Sequence, residues 1–192
     1  MKANLTKVVT TLFLLLISFT FYAQTTVKVD LEKSFINWKG YKPAGSHAGT
    51  IKIQSGTIET ENNKINGGKF VANMTTIKDE DGSPKLERHL KSADFFDVEK
   101  YPTSNFEIKT IKNSDKGTFL VGNLTIKNIT KELVIPATVL VNENKIEIKT
   151  ETIKVNRAEF HIKYKSKSFF KNLKDKFIHD DFDLQVTIIA TK

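Results

Sequence analysis

Near its C-terminal end the chain reads Asp181-Phe182-Asp183-Leu184-Gln185-Val186-Thr187-Ile188-Ile189-Ala190. Every second residue from Phe182 to Ala190 is apolar, and the residues between them are polar except for Ile189. A period of two indicates a β-strand that buries one face and exposes the other. Such one-sided strands favour an antiparallel sheet, because parallel strands are usually buried on both faces.

The same alternation recurs along most of the chain, with turn residues at hairpin spacing at Asn62-Asn63, Ser114–Gly117 and Asn142–Asn144. We predict about nine strands, over residues 27–31, 34–41, 48–60, 64–77, 103–112, 117–128, 132–142, 145–156 continued by 157–164, and 180–191. Hairpin-linked strands without βαβ alternation predict an all-β sandwich or closed barrel. The periodicity alone does not choose between the two.

Two segments break the period and predict short helices. Ser83 is a suitable N-cap for the first, with Pro84 at its first position and Leu86 and Leu90 one turn apart. The second opens at Ser168 and has apolar residues at helical spacing, namely Phe169, Phe170, Leu173 and Phe177. The apolar alternation also slips between residues 152 and 153, which predicts a β-bulge that helps the sheet curl.

Residues 1–23 have the features of a secretory signal. Lys2 and Lys7 precede an uncharged apolar run from Val8 to Tyr22. This run is about 15 residues long, short of the roughly 20 that span a bilayer. We therefore expect cleavage near Ala23, which would leave residues 24–192 as a single domain that is periplasmic or secreted.

Composition narrows the range of chemistry and partners. The 192 residues include no cysteine, so disulfides, thiolate metal sites and cysteine nucleophiles are excluded. The net charge of +8 permits attraction to anionic lipid head groups or nucleic acids, and the alternative is a solvated, lysine-rich exterior without such a partner. Because an exported protein seldom meets nucleic acid, we expect a membrane surface and no nucleic acid. The oligomeric state is left open.

The histidines at positions 47, 89, 161 and 179 lack metal-ligand spacing, and phosphate loops, GxSxG elbows and dinucleotide fingerprints are absent. The sequence therefore predicts no metal, no cofactor and no catalytic residue. One alternative is an enzyme that acts on a hydrophobic small molecule through His89 with Asp94 or Arg157, although no nucleophile has a fixed spacing to them. Another is a stress-related surface protein whose barrel interior is filled by its own side chains.

Aromatic residues are abundant, with 14 Phe, 4 Tyr and 1 Trp in the full chain. Many of them lie on predicted strand faces or in the two irregular segments. An ordinary packed core is one interpretation of this pattern. The other is the lining of a cavity, because an eight-stranded barrel can hold one small ligand.

Three motifs carry a family resemblance. They are the run His89-Leu-Lys-Ser-Ala-Asp-Phe-Phe-Asp-Val-Glu-Lys-Tyr-Pro-Thr-Ser-Asn-Phe106, the hairpin Gly122-Asn-Leu-Thr-Ile-Lys-Asn-Ile-Thr-Lys131, and Asn156-Arg-Ala-Glu-Phe-His-Ile162. Together they resemble the YceI-like family of exported polyisoprenoid-binding proteins, and the resemblance covers about residues 27–191. Asn128 and His161 stand where the family pattern usually has glycine. A side chain at position 161 is expected to narrow or polarise the space that a glycine leaves.

The resemblance implies an extended, lipocalin-like antiparallel β-barrel of about eight strands with two short helices. It also implies a non-enzymatic protein that holds an isoprenoid chain non-covalently, for transport, storage or isoprenoid metabolism. Arg157 and His89 are candidate donors to the lipid head group, and the alternative for Arg157 is pairing with a carboxylate such as Asp94. The candidate ligand-binding residues on the barrel lining and at its mouth are Trp38, Phe70, Met74, His89, Leu90, Phe95, Phe96, Phe106, Phe119, Arg157, Phe160, Ile162, Tyr164, Phe169, Phe170 and Leu173.

The region Lys163–Lys176 interleaves six lysines with aromatic residues. Lysines around an aromatic helical face suit transient docking on an anionic membrane. The alternative is a helix that covers one end of the barrel with its outer face solvated.

Overall fold

The computed structural model describes residues 24–191, so the predicted signal segment lies outside the described residues. Within this range, no helix is long and apolar enough to cross a membrane. The elements are β1 (Thr25–Lys28), β2 (Phe35–Lys42), β3 (Gly45–Glu61), β4 (Lys64–Asp79), α1 (Pro84–Lys91), β5 (Thr103–Ser114), β6 (Gly117–Ile126), β7 (Ile129–Val141), β8 (Lys145–Thr150), β9 (Ile153–Asn156) and β10 (Asp181–Thr191), with 3₁₀ turns at Arg157–Phe160 and Lys174–Lys176.

The strands form a closed antiparallel barrel. Eight of them follow the order β3-β2-β10-β8-β7-β6-β5-β4, and pairing between β4 and β3 closes the ring. The two additional strands extend this ring, since β1 pairs with β3 and β9 pairs with β10. The all-β barrel prediction is therefore confirmed.

β10 shows how the alternating pattern becomes the barrel wall. It pairs with β2 on one side and with β8 and β9 on the other, all antiparallel. Leu184 and Ile188 face the interior, whereas Gln185 on the opposite face is exposed. Leu184 pairs with Ile153 of β9, and Thr187 pairs with Lys149 of β8. Three steps along β10 thus correspond to four steps along the neighbouring segment, which contains one extra residue. This is the β-bulge predicted from the slip at residues 152 and 153.

The predicted hairpins occur where turn residues were recognised. Asn62 and Asn63 both have positive φ, at 52° and 60°, and connect β3 to β4. Lys127 and Asn128, at 50° and 60°, connect β6 to β7. Asparagine tolerates this left-handed conformation better than most residues, so Asn128 serves where the family pattern has glycine.

The first predicted helix is present as α1. The Ser83 side chain accepts a hydrogen bond from the backbone N–H of Leu86 at 3.4 Å, and Pro84 occupies the first turn. Leu90 is buried against the barrel interior. Capping, proline position and the one-turn spacing of the leucines therefore agree with the prediction.

The second predicted helix is wrong. Residues 168–177 form a series of turns in which only Lys174–Lys176 are helical, in a 3₁₀ turn. The Ser168 hydroxyl donates to Asp180 Oδ2 at 2.7 Å instead of capping a helix. Asn172 and Lys174 have positive φ, at 65° and 48°, which an α-helix excludes.

The predicted strand over residues 157–164 is also wrong. The Asn156 side chain accepts from the backbone N–H of Ala158 at 2.9 Å and starts the 3₁₀ turn at Arg157–Phe160. His161 ends this turn at φ 55°, in the left-handed conformation that explains a glycine at this place in the family pattern. Its side chain is exposed and does not line the barrel interior, so it does not narrow that space.

The two long connections lie at the same end of the barrel. Residues 80–102 follow the end of β4, and residues 157–180 precede the start of β10. Antiparallel pairing places both of these strand ends beside the β2–β3 and β6–β7 turns. We call residues 80–102 and 157–180 the cap. The opposite end carries the β3–β4, β5–β6 and β7–β8 hairpins.

Barrel closure can be tested at Gly49, which pairs with both Trp38 and Asp79. A Cβ atom there would lie 1.9 Å from the backbone oxygen of Lys78 and 2.9 Å from a Trp38 ring atom. Because a backbone oxygen in the closing ladder cannot move aside freely, Gly49→Ala should lower the unfolding free energy by about 1–3 kcal/mol or more. The measurement is urea unfolding followed by circular dichroism.

Gly40→Ala is the matched control, since a Cβ at Gly40 meets no atom within 4 Å. It should change the unfolding free energy by less than about 0.5 kcal/mol. Equal destabilisation by the two variants would contradict the close approach of β3 and β4 at Gly49.

Candidate functional site

The barrel encloses an elongated cavity of about 220 Å³ whose wall is almost entirely apolar. It is bounded by the inward faces of the strands and by the cap. The lining residues are Ile36, Trp38, Gly40, Tyr41, Lys42, His47, Ile51, Ile53, Phe70, Val71, Ala72, Met74, Ile77, Leu86, His89, Leu90, Phe95, Phe96, Ser104, Asn105, Phe106, Leu120, Leu124, Ile126, Leu133, Ile135, Ile148, Thr150, Ile153, Arg157, Ile178, His179, Phe182, Leu184, Val186 and Ile188.

Strand geometry gives the length of this cavity. On β10 the lining runs from Phe182 to Ile188, a span of about 20 Å at about 3.4 Å per residue. The volume exceeds the roughly 150 Å³ of an apolar protein cavity that binds benzene. The space therefore suits an extended apolar chain better than a compact polar molecule.

Nine of the sixteen predicted ligand-binding residues line the cavity. They come from three strands (β2, β4 and β5), from α1 and the segment after it, and from the 3₁₀ turn at Arg157, so the fold brings together residues that are distant in sequence. They are Trp38, Phe70, Met74, His89, Leu90, Phe95, Phe96, Phe106 and Arg157.

The other seven do not line it. Phe119 lies on the outward face of β6, whose neighbour Leu120 points inward. Phe160 and Ile162 are fully buried, but in the packing between cap and barrel. Three more lie elsewhere in the cap, namely Phe169 and Phe170, which are exposed, and Leu173, which is half-buried. The last, Tyr164, packs against the His89 ring at a centroid distance of 4.4 Å.

Sequence reasoning missed much of the aliphatic wall because it concentrated on aromatic residues. Leu120, Leu124, Leu133, Ile135 and Ile148 line the cavity along β6, β7 and β8. The period-two alternation used to recognise strands also marks these residues as inward-facing, so the signal was present.

Arg157 is fully engaged in holding the cap together. Its Nε donates to the carbonyl of His179 at 3.0 Å, Nη1 to that of Ile162 at 2.8 Å, and Nη2 to that of Ile178 at 3.0 Å. Nη2 also lies 3.3 Å from Asp180 Oδ1. The carboxylate partner is thus Asp180, whereas Asp94 is exposed. These contacts tie the 3₁₀ turn to the chain just before β10, which is a structural role.

The environment of this pair shifts both pKa values. Burial lowers the pKa of Arg157, and the charge of Asp180 opposes that effect. Burial by itself would raise the pKa of Asp180, but hydrogen bonds from Ser166 and Ser168 and the Arg157 charge lower it overall. Asp180 is therefore held as a carboxylate beside a buried guanidinium.

His89 is a polar lining residue with free hydrogen-bonding capacity. Its Nε2 atom is buried and has no hydrogen-bond partner among the described residues. The ring contacts Tyr164 and lies 5.8 Å from the Phe95 ring, both edge-to-face. A buried polar atom without a partner costs about 1–3 kcal/mol, which a ligand oxygen would recover.

Four other polar lining residues lie at the cap end, namely Tyr41, Lys42, His47 and His179. Lys42 Nζ lies 3.0 Å from His47 Nε2. The Tyr41 hydroxyl donates to Asp183 at 2.6 Å, a hydrogen bond that raises the pKa of Tyr41. His179 donates its backbone N–H to the Tyr41 carbonyl at 2.9 Å. The cavity thus has an apolar body and a polar end.

Comparison with known families agrees with this geometry, since the model of the YceI-like domain matches residues 27–190. The chain belongs to the YceI-like family. The resemblance inferred from the three motifs is therefore confirmed.

The chain is similar to a UPF0312 protein of Azotobacter vinelandii, which is 29% identical over 120 residues that cover 60% of this chain and 61% of the relative. A UPF0312 protein of Pseudomonas putida is 31% identical over 118 residues, covering 58% of this chain and 60% of the relative. The matched region thus spans about three fifths of the length of these relatives.

Solved structures show the same YceI-like fold at low identity. Burkholderia cenocepacia BcnA has a TM-score of 0.69 at 18% identity, over 85% of this chain and 99% of that one. A polyisoprenoid binding domain from Saccharophagus degradans, implicated in plant cell wall breakdown, has a TM-score of 0.65 at 8% identity, over 88% and 99%. The Campylobacter jejuni YCEI protein has a TM-score of 0.53 at 20% identity, over 100% and 99%.

The Arg157–Asp180 contact predicts how stability depends on pH. Because the pKa of Asp180 is lowered in the folded state, its stabilising contribution is complete above the unfolded value of about 3.9 and is lost as pH falls through the lower folded value. Asp180→Asn should therefore reduce the unfolding free energy near neutral pH by about 1–3 kcal/mol. This difference from the parent should shrink in acid.

Urea unfolding of the parent and Asp180→Asn between about pH 7 and pH 3 measures this effect. Asp181→Asn, at the adjacent exposed position, is the control and should follow the parent. A difference between Asp180→Asn and the parent that stays constant over the whole pH range would contradict the assigned role.

Proposed function

We propose that this protein is a non-enzymatic carrier that holds an isoprenoid chain inside its barrel. The observation that carries the proposal is the almost wholly apolar cavity inside the barrel, about 20 Å long, with its polar groups gathered at one end. Support also comes from the structural neighbour in Saccharophagus degradans, which is a polyisoprenoid binding domain. Several branched prenyl units in an extended chain match this shape.

The energetics favour a lipid ligand. Burial of each CH₂-sized group contributes about 0.8 kcal/mol, so several prenyl units give substantial affinity without a polar anchor. Met74 is flexible and the aromatic residues offer flat surfaces, a combination that adapts to methyl-branched chains. The charged lining residues Lys42 and Arg157 lie at the cap end, so an apolar chain along the strands meets mainly aliphatic and aromatic side chains.

The head group is proposed to lie at the cap end, with His89 Nε2 as its hydrogen-bonding partner. Arg157 is less suitable, because its donors already engage three carbonyls and Asp180. A quinone or alcohol oxygen would satisfy the buried nitrogen of His89.

Transport or storage outside the cytoplasm is the proposed biological role. It depends on export directed by residues 1–23, whose charge and hydropathy are those of a signal peptide. The two alternatives have less support. The enzyme alternative would need Asp94, which is exposed, or Arg157, which is engaged with three carbonyls and Asp180. The cavity is inconsistent with a filled interior.

Trp38 provides a direct test, because it is the only tryptophan of the chain and lines the cavity. Titration with geranylgeraniol should change its fluorescence saturably. Gly40→Leu should weaken binding at least about tenfold, or 1.4 kcal/mol. Gly40 lines the cavity, where a new Cβ meets no atom within 4 Å, so the leucine fills ligand space without a clash at its Cβ.

Lys39→Leu, at the adjacent exposed position of β2, is the matched control and should bind like the parent. Native mass spectrometry of the purified protein should also reveal co-purified prenyl lipid. No saturable fluorescence change, together with the absence of bound lipid, would overturn the carrier proposal. His89→Leu should weaken binding of geranylgeraniol more than that of the corresponding hydrocarbon.

A second part of the proposal is transient docking of the cap on an anionic membrane. Phe169 and Phe170 expose 40% and 48% of their surface. Lys163 Nζ lies 5.1 Å from the Phe169 ring centroid, and the exposed Lys167 and Lys171 lie nearby in sequence. This part of the cap belongs to the polar end of the cavity, so a docked barrel would present its ligand entrance to the lipid.

Sedimentation with vesicles tests this docking. The parent should bind phosphatidylglycerol-containing vesicles more strongly than phosphatidylcholine vesicles, and added salt should weaken binding. The double variant Phe169→Ser/Phe170→Ser should lose most of the binding. Val134→Ser/Leu140→Ser is the matched control, because these β7 residues expose 59% and 57% of their surface away from the cap. Equal losses in both double variants would contradict docking through the cap.

A further inference from the structure

A cluster of metal-ligand side chains lies at the cap-end rim of the barrel, where β3 begins and β4 ends. His47, Asp79 and Asp81 each offer one ligand atom, and these atoms all lie within 4.8 Å of one another. His47 Nδ1 and Asp79 Oδ1 are 3.7 Å apart. That separation is too long for a hydrogen bond.

The backbone explains why three residues distant in sequence converge. Gly49 pairs with Asp79, and the N–H of Glu80 donates to the Ala48 carbonyl at 2.9 Å, so the ladder continues past the end of β4. Extended past Asp79, this register brings His47 beside the turn that contains the exposed Asp81. Asp79 itself is buried at the end of β4, so the cluster joins a strand end of each of β3 and β4 to the turn that follows β4.

An independent feature of Asp79 points to a ligand. Its side chain is completely buried, with 0% exposure. Oδ2 accepts from the backbone N–H of Ser83 at 3.0 Å, but Oδ1 has no hydrogen-bond partner among the described residues. His47 Nδ1 is likewise buried without such a partner. Two polar atoms that face each other unbonded leave space for a bridging group, since buried carboxylate oxygens are normally satisfied.

We propose that His47 Nδ1, Asp79 Oδ1 and Asp81 bind a divalent first-row transition cation, with Zn²⁺ as the best match. Zinc binds imidazole nitrogen and carboxylate oxygen at about 2.0–2.2 Å, so two ligands 3.7 Å apart subtend about 120° at the ion. The imidazole disfavours Mg²⁺ and Ca²⁺, which prefer all-oxygen sites. Three protein ligands leave a fourth position open beside the polar end of the cavity.

Lys42 gives this site a distinctive signature. Its Nζ lies 3.0 Å from His47 Nε2, so without metal the ammonium group donates to Nε2 and the ring proton sits on Nδ1. Metal binding at Nδ1 requires the ring proton to move to Nε2, which breaks the contact with Lys42. The lysine therefore competes with the metal, and its removal should strengthen metal binding.

Zn²⁺ titration of the untagged full domain, by calorimetry and with a chromophoric chelator, tests the proposal. One ion per chain is expected. His47→Gln and Asp81→Asn should each weaken binding at least about tenfold, and Lys42→Met should strengthen it. His47 and Asp81 are at least partly exposed, so these variants should fold, and circular dichroism checks that they do.

His161→Asn and Asp115→Asn are the matched controls, because they remove an exposed histidine and an exposed aspartate away from the cluster. Both should bind Zn²⁺ like the parent. Co²⁺ should give the intense visible absorption of a four-coordinate site, and excess Mg²⁺ should not displace it. Absent or unsaturable binding, or binding unaffected by His47→Gln and Asp81→Asn, would overturn the proposal. The outcome is independent of geranylgeraniol binding, so the two proposals fail separately.

Discussion

The pairing of β3 with β4 is the constraint on which the rest of the molecule depends. These are the two longest strands, and their ladder converts an open sheet into a closed ring. The ladder has three register irregularities, and such bulges bend and twist strands sharply enough to close a small barrel. Without this closure there would be two sheet edges and no enclosed space. The cavity, the cap that covers it and the proposed metal cluster at the rim all follow from this pairing.

The cap provides the second level of organisation. Because the long connections emerge at the same end, one buried guanidinium can hold several backbone segments together. Arg157 donates to the carbonyls of Ile162 and Ile178, and Asp180 compensates its charge. This arrangement keeps charge away from the cavity body. An apolar interior with polar groups at one end is the distribution that suits a lipid whose head and tail differ in polarity.

The lipid and metal proposals use different parts of the same wall. The lipid proposal depends on the inward aliphatic and aromatic faces and on the unbonded nitrogen of His89. The metal proposal depends on the cap-end rim, where β3 begins and β4 ends and where polar side chains follow the apolar lining. His47 belongs to both regions, since it lines the cavity and faces Asp79. A cation there would add positive charge at the end where the lipid head group is proposed to lie.

The sequence by itself determined the strands, the hairpins at Asn62-Asn63 and Asn128, the bulge after β8 and the capped helix α1, because alternation, turn residues and caps act over a few neighbouring residues. It also determined the family, through three local motifs.

The sequence-based prediction was wrong at residues 157–177, where the apolar spacing resembles that of a strand and then of a helix. Long-range hydrogen bonds from Arg157 and Ser168 to the segment before β10 impose turns there instead. Only the tertiary structure separated the nine predicted residues that line the cavity from the seven that do not, and showed that Arg157 pairs with Asp180 and that His47 meets Asp79. Those contacts depend on barrel closure, which brings together residues that no local pattern relates.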